Sequence, residues 1–269
     1  MKIAIAIALL ICVAPAKAQV TPNLIYRTFM IKHPVTGGGS GFFIEHKGQQ
    51  YIISAAHLLP GFKTDEKLTI VNPITLDDLQ VTITDVITTG SNDVIVLKPT
   101  QELFEPLSRF PVEVASGINF FIGESVFFAG YPLGTEVTML INNEKRLVPF
   151  LKRANVALIA DFKGGRYLFL DGVNTPGFSG GPIFKVEPNS GKTYLLGVIS
   201  GYRNEPKRVN QGNRETEFWV NLNSGIVVAH PLSVAIEAIE GHLKSQAAQP
   251  SPSPLRPPGD QANTCPSSS

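Results

Sequence analysis

Short runs rich in Val, Ile, Phe, Tyr and Thr, broken by Gly, Pro, Asn and Asp, recur along most of the chain, and this is the pattern of β-strands joined by turns. A first group comprises Phe42–Glu45, Gln50–Ile53, Leu68–Val71, Leu79–Ile87 and Val94–Lys98. Within it Leu79, Val81 and Ile83 alternate with Gln80 and Thr82, so one face of that strand is apolar and the other polar. A second group comprises Ser125–Tyr131, Val137–Ile141, Ala154–Ala160, Tyr167–Leu170, Pro182–Val186, Tyr194–Ser200, Glu217–Val220 and Gly225–Ala229. The stretch Gln101–Asn119 between them holds Pro106 and Pro111 and no sustained period, which predicts a surface connection. With no helix-period segments between the strands, antiparallel barrels or sandwiches are expected rather than a parallel α/β sheet.

One helical face is legible, and it comes last. Leu232, Ala235, Ile236, Ile239 and Leu243 recur at helical spacing after Pro231, which suits a first helical position. The polar face carries Glu237 and Glu240 rather than a basic stripe, so the helix is expected to pack back on a barrel. Beyond it, residues 247–269 are dense in Pro and Ser and poor in apolar residues, and are expected to stay disordered.

The first eighteen residues have the form of an export signal. Lys2 gives a basic start, Ile3–Val13 is an apolar run too short to span a bilayer, and Ala16-Lys17-Ala18 is a small-x-small cleavage site. Ile11 is larger than the residue normally found before a lipid-modified cysteine, which argues against an anchor at Cys12. Cleavage after Ala18 leaves Cys265 as the one cysteine, so no internal disulfide is expected. Losing Lys2 and Lys17 takes the formal charge from +1 to −1, which offers no field for nucleic acid or an anionic membrane. The expected address is periplasmic or extracellular, with no integral membrane segment after processing.

Candidate chemistry centres on T-P-G-F-S-G-G-P at Thr175–Pro182. Ser179 lies among Gly177, Gly180 and Gly181 on backbone that can turn sharply and be approached closely, as a nucleophile requires. The same turn would aim the N–H groups of Gly177 and Ser179 at one point, a candidate oxyanion cradle. Such clusters are also plain turns, so a base and an orienting acid are needed elsewhere. His57 ends Y-I-I-S-A-A-H, where two small alanines let the ring stand clear of a strand end. His33, His46, His230 and His242 sit beside turns or on the last helix and are expected to be solvated. Asp93, at the mouth of the apolar run in S-N-D-V-I-V-L, is the best placed acid, with Asp77, Asp78 and Asp85 as competitors and an ordinary polar turn as the alternative. No zinc-ligand spacing and no H-E-x-x-H occurs, so no metal and no cofactor are expected.

Taken together, G-G-G-S-G-F-F-I at Gly37–Ile44, I-I-S-A-A-H at Ile52–His57, N-D-V-I-V-L at Asn92–Leu97, F-F-A-G-Y-P-L-G at Phe127–Gly134 and P-G-F-S-G-G-P-I-F at Pro176–Phe184 make the chain resemble the trypsin-like serine proteases. The nearer likeness is to the exported bacterial protease domains of the HtrA (Deg) type, without a PDZ domain, over nearly all of residues 24–245. The resemblance implies an all-β fold of two antiparallel six-stranded β-barrels with a C-terminal α-helix. Barrel one would span about residues 24–105, a linker 106–119, barrel two 120–230 and the helix 231–245, all within a protease domain at 19–246. It implies His57 as general base, Asp93 as its orienting acid, Ser179 as nucleophile, and Gly177 and Ser179 as oxyanion donors. The stretch Gly197–Tyr202, with Ser200 and Gly201, looks like the strand that pairs with a polypeptide substrate. A pocket lined by Val173, Asn174, Ile199 and Gly225–Val228 would favour small or medium apolar side chains, and Asp171 is taken as structural. Phe178 departs from the family, which usually has a small polar residue there, and keeps open a second reading as an inactive exported binding or regulatory module. An α/β-hydrolase esterase fits poorly, because histidine precedes the serine in the chain and a strand follows it. The oligomeric state is not indicated.

Overall fold

A computed structural model describes residues 22–103, 113–114, 121–141, 143–187 and 190–248. The expected signal segment, the expected tail from residue 249 on and most of the expected linker lie outside the described residues, Cys12 and Cys265 with them.

The first half forms a closed six-stranded barrel. After a short helix α1 (Pro22–Arg27) come β1 (Thr28–Lys32), β2 (Gly39–His46), β3 (Gln49–Ser54), β4 (Lys67–Val71), β5 (Asp78–Thr88) and β6 (Ile95–Pro99), closing in the order β1-β2-β3-β6-β5-β4. All neighbours are antiparallel. Inward-facing Phe29, Ile31, Phe43, Ile52, Leu68, Ile70, Val81, Ile83, Ile95 and Leu97 fill it. The alternation at 79–83 is the pleat of β5, with Val81 and Ile83 buried and Gln80 exposed. Closure leaves the barrel no open edge.

The second half is a larger sheet. It contains β7 (Glu113–Val114), β8 (Ser125–Gly130), β11 (Phe150–Phe162), β12 (Gly165–Asp171), β13 (Pro182–Val186), β14 (Thr193–Gln211) and β15 (Arg214–Pro231), ordered β13-β8-β11-β12-β15-β14-β7. Because β13 also pairs with β14, six of these strands are bonded in a ring, and β7 adds a short parallel pairing at residues the sequence assigns to a linker. A separate hairpin, β9 (Thr138–Ile141) with β10 (Glu144–Leu147), is tied to the barrel, where Leu147 N–H donates to Pro73 O and its side chain clusters with Met30 and Val71. The polar run E-K-R-L carries no strand signal of its own.

The largest departure from the sequence-based elements is at β14 and β15. Tyr194–Ser200 continues to Gln211, and Glu217–Val220 and Gly225–Ala229 fuse into one strand, so the pair forms a long ribbon closed by Gly212-Asn213. Gly212 has φ +62°, which suits a first central position of a two-residue hairpin turn. Residues 203–215 and 217–223 of the ribbon are exposed, Phe218 and Trp219 among them.

The closing helix α2 runs Ser233–Ala248. It starts two residues later than the sequence suggests, because Pro231 ends β15 opposite Gly197. It also takes in residues 247 and 248, which were expected to belong to the tail. Leu232, Ala235 and Ile239 pack in one cluster with Phe42, Ile44, Tyr51 and Ile53 of the barrel and Ala129, Phe184, Leu195 and Val198 of the second sheet. The two halves therefore share a core, to which α2 contributes. Among the described residues no helix is long and apolar enough to cross a membrane.

Candidate active site

His57 is presented by the end of β3. The strand gives way at buried, extended Ala55 to a single 3-10 turn, Ala56–Leu58. Leu58 and Leu59 are buried in the barrel core and anchor that turn, leaving the His57 side chain just before them exposed. Asp93 stands on the loop between β5 and β6. One carboxylate oxygen, Oδ1, accepts the His57 backbone N–H at 2.8 Å, and Oδ2 lies 2.6 Å from His57 Nδ1 and 2.6 Å from the Ser200 hydroxyl, which donates to it. Burial on its own would raise the Asp93 pKa. The His57 ring, the Ser200 hydroxyl and the His57 N–H together more than reverse this, and hold it below the ordinary carboxylate value. The competing Asp78 and Asp85 are engaged elsewhere, with Lys32 and with Lys98 and His242.

Ser179 sits on a turn fixed from both halves of the molecule. Phe178 N–H donates to Thr175 O, Gly181 N–H to Phe178 O and Gly180 N–H to Ile199 O, while Ile199 N–H returns a bond to Gly181 O. From the barrel, Ser40 N–H donates to Ser179 O at 2.8 Å and the Ser40 hydroxyl to Gly177 O at 2.7 Å. The N–H groups of Gly177 and Ser179 carry no hydrogen bond among the described residues. In a turn where the neighbouring amides are satisfied, two unused donors are the arrangement an anion would complete. Close approach explains two of the glycines. At Gly180 (φ +81°) a Cβ would lie 2.0 Å from Ser40 O and 2.3 Å from Ser54 Oγ, and at Gly177 (φ +100°) 2.2 Å from Tyr131 O.

Phe178 is fully buried, set edge-on against Phe128 with ring centroids 5.2 Å apart. Its side chain belongs to the core of the second sheet, so it anchors the turn from below and leaves the backbone donors unobstructed.

The Ser179 hydroxyl donates to the Ser200 carbonyl at 2.8 Å. Ser200 thus joins the serine to the acid, taking one hydrogen bond at its carbonyl and giving another from its hydroxyl. Ser179, Ser200, Asp93 and His57 form a continuous hydrogen-bonded chain.

The residues expected to line a pocket have distinct surroundings. Val173 is exposed, and its carbonyl accepts from Lys152 Nζ. Asn174 is buried and acts as a tie, with Nδ2 donating to Gly201 O at 3.1 Å and Oδ1 accepting from Thr175 N–H. The Ile199 side chain lies in the core, and both its backbone polar groups hold the serine turn. Ser40 and His230 were missed. Ser40, between two glycines at the start of β2, had a signal in its small flanking residues. His230, expected to be solvated, is 1% exposed, because the Asp93 loop and β12 close over it.

The model of the trypsin-like peptidase domain family matches residues 39–190, more than half of the chain. The chain belongs to that family. No curated protein matches it. Among solved structures it is similar to the Rv3671c protease in its inactive form, at 17% identity over 82% of this chain and 90% of that one, with a TM-score of 0.50. It is also similar to an HtrA-type protease, AlgW, with a tripeptide, at 13% identity over 82% of this chain, with a TM-score of 0.52. This chain spans 62% of that protein's length. At these identities the likeness is one of fold. The trypsin-like match ends before β14, β15 and α2, so the ribbon lies outside it.

Proposed function

We propose that this trypsin-like chain is an exported serine endopeptidase, released by signal cleavage after Ala18 and acting on polypeptides through an acyl-enzyme intermediate. The ring of six strands in the second half serves as the second barrel of a chymotrypsin-like pair. His57 takes the Ser179 proton and returns it to the leaving amine, and Asp93 holds the Nδ1–H tautomer and stabilises the imidazolium. The N–H groups of Gly177 and Ser179 receive the developing oxyanion. Ser200 and Gly201 pair with the substrate backbone, and side chains near Val173 meet the residue at the cleaved bond.

The observation that carries this reading is the continuous chain from Ser179 through Ser200 to Asp93 and His57. Attack requires the Ser179 hydroxyl to leave the Ser200 carbonyl for His57 Nε2, with which it shares no hydrogen bond among the described residues. The hydroxyl's bond to the Ser200 carbonyl also supports the second reading, an inactive binding module in which Ser179 is permanently held. A fluorophosphonate probe separates the two, because only an activated serine reacts readily. Labelling mapped to Ser179, and lost in Ser179→Ala and His57→Ala variants of native circular dichroism, is expected. A folded wild-type protein that resists the probe as fully as those variants would favour the binding module.

A further inference from the structure

The polar groups of Asp93 are all engaged, and the partner of its N–H is a second histidine. The carboxylate holds His57 and Ser200, and the Asp93 carbonyl accepts from Ala56 N–H at 3.4 Å. The remaining group, the Asp93 N–H, donates to Nε2 of His230 at 3.2 Å.

Both ring nitrogens of His230 are thereby assigned. Nδ1 lies 2.7 Å from the Arg166 carbonyl, which can only accept, so Nδ1 carries a proton. Nε2 faces an N–H, so it must be the lone pair. The ring is neutral, fully enclosed and laid against Tyr167 with centroids 4.8 Å apart. Burial lowers its pKa, and the Arg166 carbonyl and the Asp93 carboxylate oppose that shift without cancelling it. The charged groups facing it are Asp93 from the barrel loop and, on β12, Arg166, whose guanidinium is paired with Asp161 and with Glu237 of α2. From β14 it meets Val198. Protonation would set a second N–H against that of Asp93, donor against donor, in a buried site.

His230 is one of several ties pinning this loop to the second sheet. Asn92 Oδ1 accepts Arg166 N–H at 2.7 Å, and the Ser91 hydroxyl donates to Gly164 O at 2.7 Å. Of these, only His230 bonds the acid's own residue.

We infer that His230 is a positioning residue for the acid: its neutral, Nδ1-protonated ring fixes the Asp93 main chain against the second sheet and so sets the carboxylate on His57. This rests on the proposed endopeptidase reading. The consequence is that protonation of His230 silences the site, and so adds one power of proton concentration to the acid-side fall in activity.

The test uses His230→Gln, which keeps an acceptor near Nε2 but cannot titrate, and His230→Leu, which removes the acceptor. With a peptide substrate, His230→Leu is expected to lower kcat by about 10- to 30-fold with KM nearly unchanged, as misplacement of a catalytic group does. His230→Gln is expected to recover activity to within about threefold of wild type, with the limiting acid slope of log kcat/KM lower than that of wild type by about one. Proton NMR gives a readout independent of turnover. The His57 Nδ1–H resonance, shifted downfield by Asp93, should persist in wild type and His230→Gln and move upfield or broaden in His230→Leu. An unchanged resonance in His230→Leu overturns the inference; where the Leu variant does not fold, a limiting acid slope in His230→Gln equal to that of wild type overturns it. Failure of wild type itself to react with fluorophosphonate would instead overturn the endopeptidase reading, and the NMR comparison would still decide the role of His230.

Discussion

Ser200 has one hydroxyl and one carbonyl in the site, and the two do different work. The carbonyl accepts the Ser179 hydroxyl, whereas the hydroxyl helps keep Asp93 ionised despite its partial burial. Ser200→Ala removes only the second contact. It is expected to lower kcat/KM by about 10-fold, mostly through kcat, as loss of one hydrogen bond to a charged group implies. Steady-state kinetics on the folded variant checks this. His230 makes a separate statement about stability. Its folded pKa is depressed, so the unfolded chain binds a proton more readily and the stabilising contribution is complete above the ordinary value of 6.5. As pH falls below that value toward the lower folded one, this stability is lost. Urea midpoints across pH 4.5–8 should therefore decline more steeply for wild type than for His230→Gln.

At the scale of elements, the long strands Phe150–Phe162 and Arg214–Pro231 show what pairing adds to pattern. Arg203–Gln211 has no apolar alternation, because neither face of the ribbon is buried along it, and its strand state comes from the partner running Arg214–Asn223. Leu79–Ile87 and Gln50–Ile53, by contrast, are legible because one or both faces meet a core. The same logic divides the site. His57, Asp93 and the serine turn are legible from small and polar residues placed at the ends of apolar strands. The burial of His230 and the bridging by Ser40 arise only when the two halves meet, and the glycines around Ser40 signal a close approach without specifying what approaches. Because the ribbon buries little, cutting it back should cost little. Replacing Glu205–Leu222 with an Asn-Gly turn, which joins the paired Asn204 and Asn223, is expected to leave Tm within about 3 °C of wild type by differential scanning calorimetry.

For the whole molecule, the shared cluster of barrel, second sheet and α2 decides the cooperativity. Ile239 is fully buried at the point where the helix meets both halves. Ile239→Ala is expected to cost about 3 kcal/mol, read as a lower urea midpoint in a single transition with the m-value unchanged. Two separated transitions would mean that the halves unfold independently despite the common core.

The chain contains one tryptophan, and the fold places it far from that core. Trp219 is 60% exposed on the ribbon, beneath the Arg208 guanidinium at 5.0 Å from the ring centroid. Its emission in the native protein is therefore already that of a wet indole, and denaturation leaves the spectrum nearly where it began. The enclosed phenols of Tyr51 and Tyr131 report unfolding, while quenching of Trp219 by acrylamide or iodide reports whatever comes to lie against the ribbon.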